Sequence, residues 1–307
     1  MKIIQSFYQI EKNIGYYNSE SNDNYLINFY SLLLSFICLN NLGYKVTVYC
    51  NKFAYEKMLK FIPYDDVIIT DINDFNVNNY GNEWGMLKFN VFEMQKEPFI
   101  HLDGDVFLFN DLLFDFIDDN KFDVIIQSVD ISKHVYGNFF HDNYDQLLEN
   151  GYIVDNNELI VEHNGSIGYN NGVVGFKDID FLKKYIKNAK KMNSMINDGF
   201  FKSVNHQTMI FEQFLLYHLT EKYEKNVYEV LPYYEVKKFG YEKVANDLGY
   251  THLLSGNKYV DYFVMLVRLK IYKKYPKYIK NIENFEKTIT NANIKYLKHN
   301  NLEELIS

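Results

Sequence analysis

Short runs of β-branched and aromatic residues alternate along most of the chain with longer stretches in which apolar residues return every three or four positions. That alternation predicts an α/β architecture, a sheet with crossover helices. Strands are expected at 3–8, 45–50, 66–70, 99–102, 124–128 and 172–176, and helices at 24–42, 53–61, 85–95, 179–196 and 205–223. Residues 73–82 and 136–166 read as long loops, of the kind that serve compact enzymes as lids or binding loops. With no internal repeat and no Pro/Gly/Ser linker, the chain divides only softly. Residues 1–258 are expected to form one domain, with a nucleotide-binding half at 1–110 and a second half packed on the same sheet at 111–258, followed by a helical tail at 259–307.

A chain of 307 residues, 47% of them hydrophobic, has ample material for a dry core, which excludes a disordered or disulfide-stapled protein. A single arginine, Arg268, among many lysines, and the wealth of Tyr and Phe, point to codon composition as much as to selection. The net charge of −8 disfavours nucleic acid as a partner, unless a local basic patch overrides it. Cys38 and Cys50 are too few for a disulfide framework and suit a reducing cytoplasm. The start of the chain lacks the apolar run of a signal peptide, and the longest apolar run, 30–39, is far short of the roughly 20 residues a membrane span needs.

The chemistry concentrates in two places. His101-Leu102-Asp103-Gly104-Asp105 follows a buried strand and precedes the apolar run Val106–Phe109. Two carboxylates so close together repel, and an apolar setting deepens the desolvation cost, so the pair calls for a divalent cation. Oxygen ligands suit Mn²⁺ or Mg²⁺, which keep positions open for phosphate oxygens, and strand termini are where open α/β sheets bind ligands. A plain loop-capping acidic pair is the alternative. Far downstream, Thr251-His252-Leu253-Leu254-Ser255-Gly256-Asn257-Lys258 offers an imidazole for the same cation, a glycine for close backbone approach and a lysine for diphosphate.

The two motifs together resemble the retaining glycosyltransferases of family 8, of the glycogenin and lipooligosaccharide galactosyltransferase kind. Those enzymes carry an Asp-x-Asp at a strand end and a C-terminal His-x-x-Gly-x-x-Lys. His252 and Lys258 keep that interval, with the glycine shifted by one place. The resemblance implies the GT-A fold, a Rossmann-like mixed sheet flanked by helices, and transfer of a hexose from a UDP-sugar with retention of anomeric configuration. It implies a metal site of Asp103, Asp105 and His252, and diphosphate contacts from Gly256 and Lys258. Asp23-Asn24-Tyr25 resembles the family's nucleotide-contacting segment, although a helix cap explains it equally. Lys88 stands where the family keeps a basic residue facing the donor sugar, and Met86 replaces a nearby arginine. Trp84, beside them, reads equally as core.

By the same resemblance Asp130 approaches the acceptor and Asn170, within Tyr169-Asn170-Asn171-Gly172-Val173-Val174, meets the donor sugar; on its own that Asn/Gly segment reads as a turn. His206-Gln207 occupies the place of the family's Asp-Gln, with Gln207 below the sugar. Glu212, about 140° further round the same expected helix, is the other candidate to face the anomeric carbon, or else a scaffold pair. The tail mixes lysines with aromatic and aliphatic residues, which fits either an interfacial helix on anionic lipid or a core-packing helix with a solvated lysine face. The expected setting is cytoplasmic or peripheral on the inner face of a bacterial membrane, in surface polysaccharide synthesis, with a glycan, lipid-linked sugar or protein as acceptor. The competing readings are a metal-dependent phosphohydrolase or nucleotidyltransferase and a non-catalytic sugar-nucleotide binder.

Overall fold

The structure is a computed structural model that describes residues 1–9, 22–70, 83–131, 167–197, 209–253 and 261–288. The described strands are β1 (Lys2–Phe7), β2 (Val46–Cys50), β3 (Asp66–Ile69), β4 (Phe99–Leu102), β5 (Val106–Leu108), β6 (Val124–Ile131), β7 (Ile167–Phe176), β8 (Val227–Glu229) and β9 (Tyr250–His252). Seven of them form a sheet in the order β3-β2-β1-β4-β7-β6-β8, and β5 and β9 form a separate ribbon. β1 runs parallel to β2 and β4, β2 runs parallel to β3, and β6 runs parallel to β8. β7 alone is reversed, antiparallel to both β4 and β6. The expected α/β class, a mixed sheet flanked by helices, is present.

The helices are α1 (Asn22–Asn41), α2 (Lys52–Lys57), α3 (Glu83–Glu93), α4 (Phe114–Asp118), α5 (Ile179–Asn197), α6 (Leu215–Lys222), α7 (Tyr233–Phe239), α8 (Tyr241–Leu248), α9 (Asp261–Lys274) and α10 (Ile279–Glu286). The sheet separates two apolar layers. On one side Ile3, Val173 and Ile125 join α1, β5, α9 and α10; on the other, Ile4, Val174, Val124 and Ile126 join α3, α5 and α6. Neighbouring strand residues thus point to opposite layers, and a strand covered on both faces reads as continuous apolar sequence, as Val46–Cys50 does.

Several elements differ from the expectation. The helix expected at 53–61 breaks into α2 and a 3-10 turn, Leu59–Phe61. Of the helix expected at 205–223, residues 205–208 lie outside the described set, and the rest opens with a π-helical turn, Ile210–Phe214, before α6. The Asn/Gly segment 169–174 is no turn but the middle of β7, where a register shift against β6 marks a bulge. Both expected loops, 73–82 and 136–166, fall outside the described residues.

α1 is apolar almost all round because it is covered twice, by the sheet and β5 on one side and by α9 on the other. Val264, Val267 and Ile271 of α9 and Ile282 and Phe285 of α10 are buried in that layer. The Phe29 and Phe285 rings stack at 3.8 Å between centroids. Arg268 donates from Nε to Glu286 Oε1 (2.9 Å), which also accepts from the Tyr30 hydroxyl (2.6 Å), so the chain's single arginine ties tail to helix. No helix among the described residues is long and apolar enough to cross a membrane.

Two outcomes follow from this packing. Phe285→Ala removes a buried ring from the α1 layer and is expected to lower unfolding free energy by about 3–5 kcal/mol, read by urea titration. On α6, burial against Phe214 (ring centroids 4.1 Å apart) lowers the His218 pKa from 6.5 to about 4. An unfolded chain takes up that proton near pH 6.5 and the folded chain only near 4. Stability from a neutral His218 is therefore complete above this window and lost as pH falls through it. Across it, His218→Phe is expected to lose less stability than the wild type in urea midpoints measured at several pH values.

Candidate metal centre

β4 stays buried to Leu102 and delivers Asp103-Gly104-Asp105 at its carboxyl end. Asp103 N–H donates to Gly172 O (2.8 Å) and Val106 N–H to Asp103 O (3.1 Å), which closes the turn against β7. Gly104 lies against α1, where a Cβ would overlap the Leu32 side chain. The chain passes directly into β5, and β9 pairs with it antiparallel, with Val106 opposite His252. Leu253 N–H donates to Asp105 O (3.1 Å) at the end of this ribbon.

The ribbon brings His252 to the aspartates. Its Nε2 lies 3.5 Å from Asp105 Oδ1, and one ligand atom from each of Asp103, Asp105 and His252 falls within 4.8 Å of the others. The Asp105 and His252 side chains are nearly buried, and Asp103 is the exposed member at 32%. Two carboxylates and an imidazole suit Mn²⁺ or Mg²⁺, with an approach for further ligands on the Asp103 side.

A third carboxylate lies next to the pair. Lys88 of α3 is buried, and its ammonium group donates to Glu212 Oε1 (2.7 Å) and to Asn171 O (3.0 Å) and lies 3.0 Å from Asp103 Oδ1. An ammonium has three protons, so these partners occupy all of them. Burial opposes the charge on Lys88, but Asp103 and Glu212 outweigh it and hold the group above the ordinary lysine range. Burial pushes Glu212 upward, with Lys88 pulling the other way. Glu212 sits in the π-helical turn, and its backbone carbonyl accepts from Asn171 Nδ2 (3.2 Å) and the Tyr185 hydroxyl (2.7 Å). His101, buried in β4, is driven well below 6.5 by burial and by Lys88, so it stays neutral and lends no positive charge. Lys88 pairs with both Glu212 and Asp103, and Asp105 stands beside them next to His252.

The bulge between β6 and β7 arranges the opposite wall. Asn170 donates from Nδ2 to Asp130 Oδ2 (3.3 Å) and accepts the Gly172 N–H at its Oδ1 (3.1 Å). Gln127, fully buried on β6, contacts His252 Nδ1 through Oε1 (2.8 Å) and donates from Nε2 to the Tyr241 hydroxyl (3.1 Å). The Tyr250 hydroxyl is buried with no hydrogen-bond partner among the described residues, and burial together with Tyr241, Asp105 and Asp103 raises its pKa well above 10.0.

Asp103, Asp105, His252, Lys88, Asn170 and Asp130 thus lie around one strand edge. Asp23, Asn24 and Tyr25 fall in the first turn of α1, their side chains outside the described set, as is that of Trp84 in α3. His206, Gln207, Gly256 and Lys258 lie outside the described residues. Gln127, Tyr241 and Tyr250 did not emerge from the sequence. The only trace was Gln127 itself, a polar residue closing the apolar run Val124–Ile126, which must find a buried partner.

A helix-flanked mixed sheet with an Asp, Asp, His cluster beyond the carboxyl end of a central strand defines the class as an α/β protein with a candidate metal site where open sheets of this kind bind ligands. The chain belongs to a family of unknown function (DUF6734), whose model matches residues 1–285 and so extends through α9 and most of α10. No curated protein matches the chain. Similar solved structures include mouse xyloside xylosyltransferase 1 in its apo form, at 12% identity over 74% of this chain and 84% of that one, with a TM-score of 0.42. The apo form of the glycosyltransferase GlyE of Streptococcus pneumoniae TIGR4 gives 12% identity and a TM-score of 0.43, over 83% of this chain but only 54% of that one. The galactosyltransferase LgtC in complex with donor and acceptor sugar analogs gives 12% identity over 69% of this chain and 70% of that one, with a TM-score of 0.37. Similarity at this level says nothing of substrate.

Removing Lys88 strands a buried carboxylate. Lys88→Met is expected to cost about 3–5 kcal/mol in urea unfolding, and Lys88→Met combined with Glu212→Met to recover most of that loss.

Proposed function

We propose that the protein is a metal-dependent glycosyltransferase that moves a hexose, with retention, from a UDP-sugar to a glycan, lipid-linked or protein acceptor. The single observation that carries this reading is the convergence of Asp103, Asp105 and His252, from two distant stretches of sequence, within 4.8 Å. The motif resemblance to family 8 glycosyltransferases supplies the substrate class. The natural setting on this reading is surface polysaccharide synthesis in a bacterial cytoplasm.

Asp103, Asp105 and His252 would hold Mn²⁺ or Mg²⁺. A bound cation of this kind neutralises the charge that develops on a leaving diphosphate. Gly256 and Lys258 are proposed for the same diphosphate, and Asp23, Asn24 and Tyr25 for the nucleotide. Lys88 anchors Asp103 Oδ1 from the protein side, which keeps that carboxylate oriented while its exposed side receives ligand. Asn170, whose amide is held by Asp130 and the Gly172 N–H, is proposed to meet the donor sugar. Asp130 then stands beside the sugar, where an acceptor hydroxyl is oriented. Gln207 is proposed beneath the sugar, where positive charge grows as the glycosidic bond loosens. Glu212, bound to Lys88 and buried, is assigned to the scaffold.

The decisive experiment is a donor screen with purified protein, Mn²⁺ and a panel of UDP-sugars, with UDP release as readout. UDP release with one donor and Mn²⁺ is expected, lost on chelation and reduced by about 100-fold or more in Asp103→Ala and His252→Ala. Release of inorganic phosphate would point to a phosphohydrolase. Thermal stabilisation by UDP and Mn²⁺ without turnover would point to a binder.

A further inference from the structure

The two ring nitrogens of His252 have different surroundings. Nε2 faces Asp105 Oδ1 at 3.5 Å, too long for a good hydrogen bond. Nδ1 lies 2.8 Å from Gln127 Oε1. The Gln127 amide is itself anchored, because its Nε2 donates to the Tyr241 hydroxyl at 3.1 Å, and this turns the carbonyl end toward the imidazole. A carbonyl only accepts, so the ring proton belongs on Nδ1 and the Nε2 lone pair points at the aspartates.

We propose that Gln127 is a positioning residue for the metal centre, holding His252 in the Nδ1–H form with Nε2 directed toward the cation. The assignment rests on the metal reading above. Gly172 gives it independent support. A Cβ at that position would overlap Gln127 Oε1 and come within 2.6 Å of His252 Cε1 and 2.7 Å of its Nδ1. The β7 bulge therefore places a residue without a side chain at the point where any other would wedge the amide and the imidazole apart. Full burial adds to this, since an amide on β6 that lost both partners would be left dry and unsatisfied.

Long-range ¹H–¹⁵N correlation spectra of the ¹⁵N-labelled, metal-free full chain report which nitrogen carries the proton. Nδ1–H is expected for His252 in the wild type, and a shift toward Nε2–H, the form a free imidazole favours, in Gln127→Met. Mn²⁺ affinity, read by electron paramagnetic resonance, is expected to fall about 10- to 100-fold in Gln127→Met. Gln127→Glu keeps an acceptor oxygen in place and is expected to retain both the tautomer and the affinity. If Gln127→Met does not fold, Gly172→Ala, which wedges the same pair apart, is expected to give the same two changes. Nε2–H in the wild type, or unchanged Mn²⁺ affinity in the folded variant, overturns the assignment. A wild type that is Nδ1–H yet binds no Mn²⁺ overturns the metal reading instead and leaves the tautomer assignment standing.

Discussion

Three carboxylates, Asp103, Asp105 and Glu212, meet at one edge of a dry sheet, and their mutual repulsion is the constraint that the surrounding structure answers. Glu212 and Lys88 are both buried, so neither can shed its charge into water, and each is stabilised by the other. A buried pair of this kind adds little net stability compared with apolar residues, but it fixes geometry tightly, because either member alone would be an uncompensated charge. Here the geometry that it fixes is that of Asp103. The neighbouring imidazole of His101 is held neutral by burial and by Lys88, so the residual negative charge at the strand end persists.

Topology explains why this edge can host such a group. β7 is the one reversed strand, inserted between the parallel strands β4 and β6, and its bulge faces Gln127 on β6. Through that irregularity β7 turns Asn170 toward Asp130, lends the Gly172 carbonyl to the Asp103 N–H, and leaves room for Gln127 to reach His252. A regular ladder would have placed side chains where these contacts now occur. The β5–β9 ribbon then joins the aspartates and the histidine through backbone pairing, so their separation depends on strand register rather than on flexible side chains.

The same logic reaches the far side of the molecule. Gly104 packs against Leu32, so the loop bearing the aspartates rests on α1. α1 in turn is clasped by α9 and α10, where Arg268, Glu286 and Tyr30 form the polar seam of an otherwise apolar contact. The tail's first two helices are in this sense part of the platform beneath the site. Lys270, over the Phe109 ring at 3.5 Å, ties α9 to the segment just after β5.

Local pattern sufficed for the elements whose burial is periodic. Strand 99–102 is placed as the apolar run suggests, α1, α3 and α5 differ from expectation by one or two residues at their ends, and the Asp103–Asp105 pair stands at a strand terminus because the buried run stops there. What needed the tertiary structure were contacts between residues far apart in sequence: β5 with β9, the pairing of β6 with β7 through a bulge, Lys88 with Glu212, and Gln127 with His252. Tyr250-Thr251-His252 is too short to announce a strand and becomes one only when β5 pairs with it. Asn170-Asn171-Gly172 has the composition of a turn yet lies inside β7, with Asn170 paired to β6 and the Gly172 carbonyl taken by the Asp103 N–H, contacts that no reading of adjacent residues supplies. Sequence sets which side chains must leave water; which of them meet is decided by how the strands stack, since charge and hydrogen-bond partners act through space and not along the chain.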